Sequence, residues 1–235
     1  MKVVSAALDA GVPVESLFVA AEGRELPAVQ ALAARVLAAG SRVYDLGPGI
    51  MERVADTVTP QPVCAVLGLL DRPLAEVAAA RQGGRLVVVC ADVRDPGNLG
   101  AVIRSAAAAG ATGIVCCEGT VDPFNPKVVR ASAGTLFQLP LAQGGPAAAA
   151  LGELREAGCR LVATTARGGT DYDRADLGGD VALVFGNEAS GLPDGLVELV
   201  DECVTIPMRE GAESLNVAMT ATVLCFEIAR RRRLS

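Results

Sequence analysis

Two unbroken apolar runs, LVVVC at 86–90 and VALVF at 181–185, constrain this chain more than any other feature. A strand with one face in water alternates apolar and polar residues. Neither run alternates, so each must be covered on both faces, the condition of a parallel sheet layered between helices. The neighbouring segments supply the other elements. LGAVIRSAAAAG, NPKVVRASAG and PAAAALGELREAG have helical spacing, while TGIVCCEG, CRLVATTA and the short VTIP suit strands. SLNVAMTATVLCFEIARRRR predicts a long amphipathic closing helix. The order is that of an α/β fold with βαβ units, and the chain has no internal repeat.

Residues 1–72 predict a smaller α/β unit. VVSAALDA and PAVQALAARVLAAG read as helices, and SLFVA, SRVYDL and PVCAVLGL as strands. The segment DRPLAEVAAARQGG, Asp71 to Gly84, carries Pro, Gly and charge without a strand pattern. It places a linker at 73–84, with room for a helix in its middle, and the second domain at 85–235. The first helix opens at residue 2 with no strand or cap before it, which predicts further N-terminal elements outside this sequence.

Composition excludes several function classes. No apolar run approaches the roughly 18 residues of a membrane span, and Asp9, Pro13 and Glu15 interrupt the opening segment, so a soluble cytoplasmic protein without a membrane partner is expected. The chain has no histidine, which removes the Ser-His-Asp triad and the commonest general base. Seven cysteines, an odd number without paired metal spacing, suit buried reduced thiols and no metal site. A net charge of -6 argues against coating nucleic acid by bulk electrostatics. The Arg230 to Arg233 block reads first as a solvated helix end and second as an RNA contact.

Three polar, glycine-rich segments follow strand-like runs, where parallel α/β sheets bind ligands. They are ADVRDPGNLGAVIRSA (91–106), VFGNEASGLPD (184–194) and TIPMREGAESLNVAMTA (205–221). In the first, Pro96 and Gly97 turn the chain, Asn98 suits an N-cap, Gly100 permits close approach, and Arg104 lies further along the helix. Taken alone it is also a plain capped helix with a surface arginine. In the second, Asn187, Glu188 and Ser190 follow Gly186 within a turn, where a carboxylate pairs with a cation or hydroxyl or merely closes the loop. In the third, Ser214 suits a helix cap, and Asn216 occupies a first-turn position where a better helix former would stabilise more. Neither the GxGxxG dinucleotide fingerprint nor the Walker GxxxxGK[ST] motif occurs.

Together, in this order, DPGNLGAVIRSAAAAGATGIV, LVFGNEASGLPD and VTIPMREGAESLNVAM resemble the three signature motifs of the SpoU family of RNA 2'-O-ribose methyltransferases, TrmH-like members of the SPOUT superfamily. The resemblance covers residues 85–235. More loosely, the first 70 residues resemble the ribosomal-protein-like RNA-binding domain that precedes many such catalytic domains. It implies a trefoil-knotted C-terminal domain, a homodimer with its active site completed across the interface, S-adenosylmethionine as cofactor and RNA as substrate, ribosomal RNA ahead of transfer RNA. Carried over by motif, Gly186, Ile206 and Leu215 line the adenosine pocket, with Thr164, Asn187 and Met208 as neighbours. Asn98, Arg104, Glu188, Ser214 and Asn216 match the polar catalytic set. The order of small and polar residues in AMTATVLCFE, after SLNV, departs from the usual pattern.

In such a reaction the ribose 2'-hydroxyl loses its proton as it attacks the sulfonium methyl in line. Arg104 is the agent the family suggests, but an arginine keeps its proton under ordinary conditions. The expectation is therefore that Arg104 orients hydroxyl and phosphate while the other four polar residues hold it and the loops. A catalytically silent RNA-binding homologue and a nucleotide-dependent oxidoreductase are the competing readings. The first is opposed by the complete polar set and the second by the missing phosphate fingerprint.

Overall fold

A computed structural model describes residues 1–55, 57, 59–79, 83–209 and 213–234. The chain forms two compact units, Met1–Leu70 and Asp71–Ser235. The first runs α1 (Lys2–Asp9), β1 (Val14–Val19), α2 (Pro27–Ala38), β2 (Arg42–Asp45), α3 (Met51–Val54) and β3 (Val63–Leu67). Its sheet has the order β2-β1-β3, with β1 parallel to β2 and antiparallel to β3. Leu17, Val19 and Val63 pack with Val4 of α1 and with Val29, Leu32 and Val36 of α2 into one aliphatic core. Because side chains alternate along a strand, Ser16, Phe18, Arg42, Tyr44, Cys64 and Val66 share the opposite face.

The second unit runs α4 (Leu74–Val77), β4 (Leu86–Cys90), α5 (Pro96–Ala108), β5 (Gly113–Cys116), α6 (Pro126–Ala131), β6 (Leu141–Gln143), α7 (Ala147–Glu156), β7 (Arg160–Thr164), β8 (Thr170–Asp171), β9 (Val181–Phe185), α8 (Asp194–Val197), β10 (Glu202–Thr205) and α9 (Val217–Arg232). Its seven strands pair in parallel in the order β6-β5-β4-β9-β7-β10-β8. The two apolar runs are β4 and β9, adjacent in register from Leu86 opposite Val181 to Cys90 opposite Phe185. Leu86, Val88, Leu183 and Phe185 face one core with α5, α6 and α9, while Val87, Val89, Ala182 and Val184 face another with α4 and α7. Double coverage is why neither run alternates. Gly100 marks the α5–α6 crossing, since a Cβ there would lie 2.4 Å from the Ala131 Cβ.

Within 73–84 the helix that the sequence left room for is α4, whose Val77 is fully buried; just before it the Asp71 carboxylate accepts from the Gln143 N–H at 2.9 Å, and Arg72 N–H donates to the Leu141 carbonyl at 2.8 Å. Residues 80–82 lie outside the described residues. Two features depart from expectation. The strands β6 and β8, of three and two residues, are too short to carry a periodic signal. The arginine block is only half a solvated end: Arg230 and Arg233 are exposed, whereas Arg231 and Arg232 are engaged by the chain itself. Arg231 donates to the Ala175, Tyr172 and Asp173 carbonyls at 2.6 to 2.8 Å, and Arg232 donates to those of Arg85 (2.6 Å) and Gly179 (3.0 Å). Glu227 accepts from both Arg230 and Arg231. Arg85, nearly fully buried, pairs with Asp180 at 2.7 Å close by. All this lies at the end of the sheet where β4 and β9 begin.

The Arg230 hydrogen bond, opposed by burial and reinforced by Arg231, lowers the Glu227 carboxyl from 4.5 to about 2. A depressed carboxylate stabilises the fold above its ordinary pKa, and that contribution fades as pH falls through the folded value. Wild type should therefore exceed Glu227→Gln in unfolding free energy at pH 6, with the gap closing between about pH 4.5 and 2 in denaturant titrations.

Candidate active site

The C-terminal ends of β4, β7, β9 and β10 open toward one place, and the loops leaving them build the site. After β9 the chain reverses within six residues: Asn187 N–H donates to the Gly191 carbonyl at 3.0 Å, and Gly191 N–H returns to Asn187 at 2.9 Å. Gly191 has φ of +69°, the left-handed conformation that glycine adopts without steric cost. Gly186 is required for another reason, because a Cβ there would come within 2.5 to 2.6 Å of the backbone of Gly191 and Leu192. The Asn187 side chain knots the turn, its Oδ1 accepting from Ala189 and Ser190 N–H, while its amide donates to the carbonyl and carboxylate of Asp92, both at 3.1 Å.

Asp92, just past β4, was not singled out from the sequence. It holds φ of +69°, unusual for a residue with a side chain. Its N–H donates to the Thr120 hydroxyl, its carboxylate accepts two hydrogen bonds from Arg94, and Gly119 leaves it room, since a Cβ there would lie 2.5 Å from its Oδ1. Periodicity carries no signal for such a conformation. Asp95 had one: an Asp-Pro pair opening an apolar helix is an N-cap signature. Asp95, not Asn98, caps α5, accepting from Asn98 N–H at 2.8 Å.

Asn98 is thereby released for another task. Its amide nitrogen donates to Glu188 at 3.0 Å, and its carbonyl oxygen accepts from the Asn216 amide at 2.8 Å. Since an ionised carboxylate only accepts, Glu188 dictates which way the Asn98 amide faces, and Asn98 in turn orients Asn216. Asn216 Oδ1 then caps α9 through Ala218 and Met219 N–H, a role expected of Ser214. One directional chain thus ties the loops after β4 and β9 to the start of α9. Partial burial pushes the Glu188 carboxyl up, but the Asn98 amide and the N–H groups of Glu188, Asp95 and Arg94 outweigh it, so its pKa lies below the ordinary value.

Beside this chain lies a cavity of about 330 Å³. Thr164, Gly186, Asn187, Ile206, Met208 and Leu215 line it, together with Glu188, Ser214 and aliphatic side chains from α9. The volume and the mixture of apolar walls with few polar groups suit a nucleoside-sized ligand. Arg104 stands apart. It is exposed on α5 and, among the described residues, makes no hydrogen bond or ion pair. Among the described residues no cluster of three or more His, Cys, Asp or Glu is placed to hold a metal, and no helix is long and apolar enough to cross a membrane.

Two family models match most of the chain. Residues 85–226 match the SpoU rRNA Methylase family, and residues 1–71 match the RNA 2'-O ribose methyltransferase substrate binding family. The chain belongs to the SpoU family. It is 34% identical over 192 residues to the 23S rRNA (guanosine(2553)-2'-O)-methyltransferase RlmP of Bacillus subtilis (strain 168), covering 82% of this chain and 74% of that one. The AdoMet-bound rRNA methyltransferase of Sinorhizobium meliloti superposes with a TM-score of 0.85 at 35% identity, covering 100% of this chain and 86% of the other. AviRb of Streptomyces viridochromogenes, a SpoU methyltransferase in complex with AdoMet, gives 0.84 at 31%, covering 99% and 88%. This SpoU enzyme is therefore an S-adenosylmethionine-dependent RNA 2'-O-ribose methyltransferase with the SPOUT α/β fold, which sets aside the silent homologue and the oxidoreductase.

Adding one methyl at the tightest point of the site tests it. Gly186→Ala should weaken S-adenosylmethionine binding at least about tenfold in calorimetry, because the reversal at 186–191 must open by several tenths of an ångström to admit the Cβ.

Proposed function

We propose that this enzyme methylates ribosomal RNA in the cytoplasm as a homodimer, with Arg104 orienting the ribose hydroxyl and its phosphate. The observation that carries the reading is the Glu188–Asn98–Asn216 chain on the rim of a glycine-walled cavity. The close approach at Gly186 and the apolar walls of Ile206, Met208 and Leu215 fit an adenosine held through backbone groups, with Thr164 and Asn187 beside it. S-adenosylmethionine, when bound, supplies the electrophilic methyl on a positively charged sulfonium.

Glu188 serves as an anchor in this scheme, not as a proton acceptor. Its oxygens already accept from Asn98 and from the N–H groups of Asp95 and Arg94, and its lowered pKa makes it a weak base. Arg104 offers a planar cation with five donors, suited to hold a phosphate and fix the neighbouring hydroxyl for in-line attack. Ser214, on the cavity wall, completes the polar set. The trefoil knot implied for the C-terminal segment belongs to this reading; residues 210–212 of that segment lie outside the described residues.

Ribosomal RNA is preferred over transfer RNA because the Bacillus subtilis and Sinorhizobium meliloti relatives are rRNA methyltransferases. The dimer is supported by α9, whose Met219, Val223 and Phe226 recur at spacings of four and three and remain 61%, 36% and 42% exposed. A face of this kind, on a helix joined to the Arg104-bearing α5 through the Ser105–Thr222 hydrogen bond, is consistent with a site completed by a second copy.

Transfer of tritium from labelled S-adenosylmethionine to ribosomal and transfer RNA, followed by nucleoside mapping, should give a 2'-O-methylnucleoside in ribosomal RNA. Arg104→Ala should lower turnover by about 100- to 1,000-fold while leaving cofactor affinity within about twofold; equal loss of both would refute the orienting role. Phe226→Asp should shift the enzyme from dimer to monomer in sedimentation.

A further inference from the structure

The first unit contains two aromatic residues, Phe18 and Tyr44, in a chain with only five Phe, two Tyr and no Trp. Large aromatic rings ordinarily anchor cores. Here the core on the α1–α2 side of the sheet is aliphatic throughout, and both rings lie on the opposite face. They sit directly across β1 and β2 in register and stack, with centroids 5.4 Å apart and planes inclined by 20°. Tyr44 is 42% exposed and Val66, on the same face, 44%. The face also carries an uncommitted cation. Arg24 pairs with Asp45 and Arg35 with Asp9, whereas Arg42, two residues before Tyr44 and exposed, has no ion pair among the described residues.

We infer that this sheet face is a stacking platform for unpaired bases of the RNA substrate, with Tyr44 and Phe18 taking the bases and Arg42 the adjoining phosphate. Flat, part-exposed rings on a sheet with a neighbouring cation have the chemistry by which single-stranded RNA is held, since every base presents a π-face. The unit's acidic balance fits that mode better than capture of a duplex, which needs many clustered cations. The inference rests on the RNA-methyltransferase reading and adds to it a residue-level site for the substrate-binding unit.

The test uses the whole enzyme and a 23S ribosomal RNA transcript, with filter binding and methyl transfer measured separately. Tyr44→Leu keeps an apolar side chain and removes the ring; it should weaken RNA binding and raise KM for RNA about 5- to 100-fold, with kcat at saturating RNA and S-adenosylmethionine affinity unchanged. Tyr44→Phe, which retains the ring, should behave as wild type. RNA substituted with 4-thiouridine should crosslink to the peptide containing Tyr44. Wild-type affinity in Tyr44→Leu, or a change in oligomeric state in place of a change in RNA binding, would overturn the platform and leave the pair as sheet packing or a protein contact. The underlying reading fails separately, as absence of methyl transfer by wild type; RNA binding weakened by Tyr44→Leu would then still support the platform.

Discussion

The pairing of β4 with β9 is the constraint on which the second unit depends. These two strands lie 95 residues apart at Leu86 and Val181, yet they form the centre of the sheet and are covered on both faces. Their parallel alignment brings two loop origins side by side at one end. Asn187 can reach Asp92, and Glu188 can reach Asn98, only because Cys90 and Phe185 finish in register. The short-range hydrogen bonds of the site are thus consequences of a long-range register set by apolar burial.

The two ends of that sheet treat charge in opposite ways. At the loop end, the polar groups form a chain with a defined direction of donation, and Arg104 remains uncommitted. At the other end, Arg85, Arg231 and Arg232 are occupied by backbone carbonyls and carboxylates of their own chain. An acidic protein that acts on RNA must therefore rely on a few placed cations and not on its net charge of -6.

Much of this was legible in the sequence. Unbroken apolar runs announced buried parallel strands, and Gly, Asn and Ser clusters after them marked the loop end of the sheet. The motif residues around the cavity were legible only through resemblance, since Ile206 or Met208 looks like any aliphatic position. What escaped had no periodic signature. β6 and β8 are too short, the left-handed Asp92 depends on Thr120 and Gly119 arriving from another loop, Asp95 takes the α5 cap while Asn98 holds Glu188 and Asn216, and Asn216 caps α9 in place of Ser214. The arginine block misled because a basic helix end usually meets water, and only the tertiary structure brings the Tyr172–Ala175 and Gly179 carbonyls to it.

The hydrogen bond from Arg232 to the Arg85 carbonyl spans 147 residues, joining the last turn of α9 to the residue that precedes β4. During synthesis that contact cannot form until α9 has left the ribosomal tunnel, so the first strand of the second unit is made long before its closing partner. The first unit, whose core draws only on residues within Met1–Leu70, has no such wait. Vectorial synthesis therefore lets the first unit complete its own core while the second is still being translated.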